Sequence, residues 1–165
     1  MDIDEPGWPL IDDFFAALAE GRTAETTRRY ERVRHRLYDF LDTGDMTLGL
    51  GAEQASLLEA ERQFHDSGAF WSLLGADELV YCLPSFLHAT WLPEGDGEAR
   101  AQITVVARLL KSLARHDLDW QVTKCAYWEA EAAVTQARRD LKRRATEPDE
   151  ARMPDRFLQQ PGPEW

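Results

Sequence analysis

The chain has 165 residues, of which 44% are hydrophobic, so it can bury one core and we expect a single domain. Its formal net charge of −11 argues against broad affinity for nucleic acid, because an acidic protein repels polyphosphate. No apolar run reaches the roughly 20 residues that cross a bilayer, and the acidic first residues lack the layout of a signal peptide. We therefore expect a cytoplasmic protein without a membrane partner.

The chain begins with an acidic arm and a short helix. Residues 1–8 form the predicted arm, and the first 13 residues carry five acids and no cation. Residues 9–21 are predicted to be helical, because Pro9 suits a first helical turn and Gly21 suits the position just after a helix end. The predicted apolar face of this helix consists of Leu10, Phe14, Ala17 and Leu18.

The next segment, residues 22–41, combines a helix start, one apolar face and a face rich in arginine. Thr23 is a suitable N-cap. Residues of the apolar face recur every three or four positions: Tyr30, Val33, Leu37, Phe40 and Leu41. The opposite face carries the arginine ridge, which consists of Arg28, Arg29, Arg32 and Arg36. The ridge is either a solvated surface with ion pairs such as Glu25 to Arg29, or a surface that contacts phosphates.

This order of parts resembles the N-terminal core-binding domain of tyrosine recombinases and phage integrases. The residues that carry the resemblance are Phe14, Phe15, Leu18, Thr23, Thr27, Tyr30, Leu37, Phe40 and Leu41. Residues 76–87 and 99–118 stand where such a domain has its third and fourth helices, so the resemblance spans about residues 9–118. It implies a compact bundle of four or five helices that clamps duplex DNA. We expect no counterpart of that family's catalytic domain in residues 119–165, because they are too few for a second enzyme domain and no late tyrosine stands among converging bases.

The middle of the chain predicts further helices. Gly49-Leu50-Gly51 reads as a flexible loop, and residues 52–66 have helical composition, with Ala55, Leu58 and Phe64 facing inward. A short helical turn is predicted over residues 69–74. In the following helix Pro84 predicts a kink or a division. Residues 92–97 form the strongest loop signal, and residues 99–118 form a helix with a wide apolar stripe.

A long last helix is predicted over residues 120–144, capped by Asp119. Small residues form a narrow line along it, the alanine seam, which consists of Ala126, Ala130, Ala133, Ala137 and Leu141 and is preceded by Val122. The seam either covers the first two helices of its own fold or serves as a dimerisation surface. The helical domain thus covers residues 9–145, and residues 146–165 are a proline-rich, irregular tail.

Residues suited to catalysis or metal binding are scattered along the chain. Glu61 and His65 lie four residues apart, but no second Glu-x-x-His motif accompanies them, so we predict no metal site and no cofactor. Cys82 and Cys125 lie in no metal-binding spacing and are predicted to be buried, reduced thiols. We predict no catalytic residues; the alternative is an enzyme whose site assembles from distant residues such as Glu61, His65 and His116.

The sequence therefore predicts an all-α, single-domain bundle of about six helices, with a recombinase-like front and a long C-terminal helix. Charge is segregated: residues 22–36 hold six arginines and two glutamates, and residues 138–144 hold five cations and one aspartate. The first functional hypothesis is a stand-alone DNA-clamping module in which the arginine ridge contacts phosphates. The second is a protein-interaction or regulatory subunit that self-associates through its C-terminal helix and does not bind DNA.

Overall fold

A computed structural model describes residues 8–116 and 118–147, and all of the regular structure in that part of the chain is α-helical. The first four helices are α1 (Pro9–Ala19), α2 (Ala24–Thr43), α3 (Thr47–Leu50) and α4 (Ala52–Arg62). The others are α5 (Ala69–Leu73), α6 (Ala76–Phe86), α7 (Asp96–His116) and α8 (Trp120–Thr146). The predicted all-α bundle is confirmed, with two short helices more than the six expected.

Capping side chains fix the starts of α2 and α8. The Thr23 side chain accepts a hydrogen bond from the Thr26 N–H at 3.3 Å, and the Asp119 side chain accepts one from the Gln121 N–H at 3.0 Å. Pro9 occupies the first turn of α1, where its missing N–H costs nothing. These starts were readable from the sequence because each depends on one side chain and its local backbone.

The helices share one apolar core. Helix α8 packs along α6 and α7, α2 packs on α7, and α3 packs on α6. The apolar face predicted for α2 is buried, and α7 presents the wide stripe expected of a central helix. In α1 the buried residues are Ile11, Phe15 and Leu18, whereas Leu10 and Phe14 are half-buried and Ala17 is exposed, so the predicted face was rotated by one residue.

Helix α3 replaces the flexible loop predicted at Gly49-Leu50-Gly51. A Cβ at Gly49 would stand 2.5 Å from the backbone oxygen of Tyr81, so only glycine lets α3 lie this close to α6. Of the two alternatives at Pro84, a kink or a division, the division does not occur, because α6 runs through Pro84 to Phe86. The expectation that Phe64 faces inward was wrong, since Phe64 lies beyond the end of α4 with 82% of its surface exposed.

The alanine seam faces the interior of the same chain. Ala126, Ala130, Ala137 and Leu141 are buried and Ala133 is half-buried. The helices that cover α8 are α6 and α7, not the first two, because the long α7 lies between. Val122 points away from this contact with 62% of its surface exposed, and Thr123 is buried in its place.

Several predictions about the chain ends fall outside the described residues. Of the acidic arm only Trp8 is described, and its ring stacks on Trp71 with centroids 4.4 Å apart. Of the tail only Thr146 and Glu147 are described, and α8 extends to Thr146 rather than ending at Arg144. None of the described helices combines the length and the apolar character needed to span a membrane.

Candidate functional site

The arginine ridge lies along the contact between α2 and α7. Arg28 is exposed and forms no ion pair with any described residue. Arg29 donates to Glu25 one turn earlier at 2.9 Å, and its Nε lies 3.5 Å from Glu98 Oε1. Arg32 donates twice to Glu98, from Nε to Oε2 at 3.2 Å and from Nη2 to Oε1 at 2.6 Å. Glu98 is in the first turn of α7, so one carboxylate holds arginines from two turns of α2.

Arg36 completes this cluster at its more buried end. Its Nη2 lies 3.6 Å from Glu98 Oε2, and its Nε donates to Gln102 Oε1 at 2.8 Å. The hydrogen bond from Arg32 holds the pKa of Glu98 below its usual range, whereas burial lowers the pKa of Arg36. Three of the four predicted phosphate contacts therefore have carboxylate partners within the chain.

Glu98 and Gln102 were missed by the sequence reasoning. Gln102 is fully buried: its amide nitrogen donates to the carbonyls of Phe86 at 2.9 Å and Trp91 at 3.1 Å, while its oxygen accepts from Arg36. The one available signal was a polar residue inside the apolar stripe of α7. That signal identifies a buried hydrogen-bonding group but not its partners.

The second basic segment reaches the same end of α7. Arg144 donates to the Asp96 carboxylate at 2.9 Å and to the Glu94 carbonyl at 2.6 Å. Close to the end of α8, Arg100, Arg138 and Lys142 surround a basic cleft of about 370 Å³ with an apolar floor. These three cations form no ion pair with described residues. The fold thus brings the two basic segments, residues 22–36 and 138–144, to the N-terminal end of α7, although about a hundred residues separate them in sequence.

A larger cavity, the aromatic groove, lies between the end of α2, α3, α6 and α8 and has a volume of about 550 Å³. Its apolar walls are formed by Leu48, Tyr81, Pro84 and Trp91. Two carboxylates, Asp45 and Glu129, also line it, together with the polar residues Thr43, Ser85, His88 and Thr90. Leu48 is 93% exposed, which is the largest exposure among the large apolar side chains described.

The walls of the groove are fixed by contacts with the core. Gly49 brings α3 against the backbone of α6, and the Tyr81 hydroxyl donates to the Val122 carbonyl of α8 at 3.0 Å. The Gln102 amide holds the Trp91 carbonyl, and the Trp91 ring meets Phe40 edge-on with centroids 5.3 Å apart. The groove is therefore preformed, which lowers the entropy cost of binding.

The groups considered for catalysis are only partly described. Glu61 and His65 contact each other at 2.9 Å, and the side chain of His116 lies outside the described part. The described residues contain no group of three side chains suited to holding a metal ion. Ser85 and His88 share the aromatic groove, yet among the described residues no hydrogen bond joins their side chains; the His88 backbone N–H donates to the Ser85 carbonyl at 3.1 Å.

The two cysteines differ, contrary to the expectation that both are buried. Cys82 is buried in α6, and burial raises the pKa of its thiol to about 12. Cys125 is exposed on α8. The alanine seam and Cys125 lie on different faces of α8. The sequence did not show which face is buried at Cys125, because alanine occurs on both faces.

No known protein family, curated protein or solved structure matches this chain. The resemblance to the recombinase core-binding domain, and the DNA contact that it implies, therefore stay predictions.

Proposed function

We propose that this protein is a non-enzymatic interaction module that binds a linear segment of a partner protein in the aromatic groove. The observation that carries the proposal is a preformed, aromatic-walled cavity with a leucine exposed at its edge. Sites for small molecules and peptides are typically concave, mostly apolar and supplied with a few polar groups. Covering the Leu48 side chain is worth about 2 kcal/mol, so it can anchor a partner.

The ion pairs of the arginine ridge argue against a DNA role for it. Glu98 is the shared partner of Arg29, Arg32 and Arg36, so phosphates would have to compete with a carboxylate that is already in place. The interaction surface proposed here also differs from the alanine seam, since the seam side chains pack inside their own chain. A partner can reach the groove without unfolding α8.

The test is selection of binders from a displayed library of random 12-residue peptides with the full chain as bait. We expect peptides that lose at least tenfold in affinity for Leu48→Ser, measured by calorimetry. The matched control is Leu57→Ser, because Leu57 is 59% exposed on α4 and does not line the groove. Equal affinity of every selected peptide for the two variants would place the binding site elsewhere and overturn the proposal.

DNA contact is the second candidate, and the convergence of two basic segments at the start of α7 favours it. Arg28, Arg100, Arg138 and Lys142 lack acidic partners among the described residues, so they are among the cations available to phosphates. The test is fluorescence anisotropy of labelled duplex DNA across a salt series. Binding that weakens steeply with salt and falls on Arg28→Glu would support this candidate; no binding at low salt would discard it.

A further inference from the structure

We infer that the aromatic groove recognises a lysine or arginine side chain of the partner segment. This inference rests on the proposed function and adds the chemistry of the bound residue. It follows from the combination of two carboxylates with aromatic and proline surfaces in one cavity. A lysine or arginine side chain offers an apolar stem and a cationic head, which suit these two kinds of wall.

The charges around the groove are complementary to a cation. Asp45 belongs to the turn between α2 and α3, and Glu129 belongs to α8, so carboxylates reach the cavity from two different elements. Among the described residues, no lysine or arginine lines the cavity. Arg62 is the basic residue whose charge acts on Asp45. Its guanidinium donates hydrogen bonds to the carbonyls of Leu41 and Gly44 and forms an ion pair with Glu59.

Neither carboxylate forms an ion pair with a described residue. Hydrogen bonds from Thr47 hold the pKa of Asp45 below its ordinary value. Glu129 is exposed and forms no ion pair with a described residue. The net charge of −11 adds a long-range field that concentrates cations near the surface.

The aromatic walls provide the second half of the site. Tyr81 and Trp91 are half-buried and line the cavity together with Pro84. Aromatic rings attract cations through their quadrupole, tryptophan most strongly, and their surfaces also cover the methylene groups of a long side chain. A neutral apolar ligand would gain only the second of these contributions.

Three ligands of matched size separate the two contributions. The ¹⁵N-labelled full chain is titrated with n-butylammonium, n-butanol and butyrate at constant ionic strength, and the Trp91 indole signal is assigned with Trp91→Phe. We expect saturable shifts with n-butylammonium at millimolar concentrations, at least fivefold weaker binding of n-butanol, and no binding of butyrate. Equal binding of n-butylammonium and n-butanol, or none of n-butylammonium, would overturn the inference.

Charge-neutral variants test the carboxylates directly. The double variant Asp45→Asn, Glu129→Gln should bind n-butylammonium at least tenfold more weakly and n-butanol unchanged. The control is Glu53→Gln, Asp66→Asn, which removes two exposed acids away from the groove and gives the same net charge. An equal loss in both double variants would assign the effect to the mean field and overturn the inference.

The outcome for the inference is distinguishable from the outcome for the proposed function. Selected peptides that depend on Leu48 but contain no lysine or arginine would leave the interaction module standing and overturn the cation preference. Selected peptides with a lysine should lose at least tenfold in affinity when that lysine is replaced by norleucine, and unchanged affinity would also overturn the preference.

Discussion

Glu98 shows how one side chain can change the meaning of a sequence pattern. Four arginines at helical spacing read as a cationic surface when α2 is considered alone. In the fold a single carboxylate from α7 contacts three of them. Because these residues lie 62 positions or more from Glu98, local spacing contains no information about the pairing.

The Glu98→Gln variant should lose about 1–2 kcal/mol of unfolding free energy at pH 7, because it removes a charged network that is half-exposed. The folded state lowers the pKa of Glu98, so its contribution is present above the unfolded pKa of about 4.3. The contribution is lost as pH falls through the folded pKa. Urea unfolding from pH 7 to pH 3 should therefore show the gap between variant and wild type closing.

Glu53→Gln is the matched control for this experiment, since Glu53 is exposed on α4 and has no ion pair with a described residue. Its unfolding free energy should follow that of the wild type at each pH. A Glu98→Gln gap that persists to pH 3 would contradict an electrostatic origin.

The element that differed most from expectation is α3. Glycine-rich composition predicted a loop, because glycine favours irregular backbone when nothing else constrains it. Here Gly49 is required for close contact with α6, and a contact with a distant backbone leaves no local signature. Helix α6 likewise continues past Pro84, so of the two alternatives expected at this residue, a kink or a division, the division does not occur.

Gly49→Ala should destabilise the protein by about 1–3 kcal/mol, because the added Cβ would overlap the Tyr81 carbonyl and force α3 away from α6. Thermal unfolding measures the loss, and binding of selected peptides should weaken in parallel. Gly95→Ala is the control, since a Cβ there meets no atom within 4 Å. Equal stability of the two variants would show that α3 can shift without cost.

On the scale of the whole molecule, the helical class and the buried faces of α2 and α7 could be predicted, because amphipathic periodicity survives folding. The helices against which each face packs could not be predicted. The alanine seam was compatible with an intramolecular contact or a dimer, and only the packing of α8 on α6 and α7 distinguishes them. The aromatic groove was invisible for a similar reason, as its walls come from four separate elements.

Ala130→Glu should reduce the unfolding free energy by about 3 kcal/mol or more, because it places an unpaired charge in a site with 1% exposure. Denaturant unfolding gives the loss, and light scattering gives the molecular mass. Ala132→Glu, on the exposed face of the same helix, should leave both unchanged. A stable Ala130→Glu variant with half the mass of the wild type would instead restore the seam as a self-association surface.

The distance in sequence between Arg32 and Glu98 also sets an order of events during synthesis. At about 5–20 residues per second, the 66 residues between them take roughly 3–13 s to be made. Throughout this interval α2 lacks Glu98, the shared partner of three of its arginines, and it lacks α7, which covers part of its apolar face. The surface neutralised in the finished protein is therefore a cationic, amphipathic surface on the nascent chain.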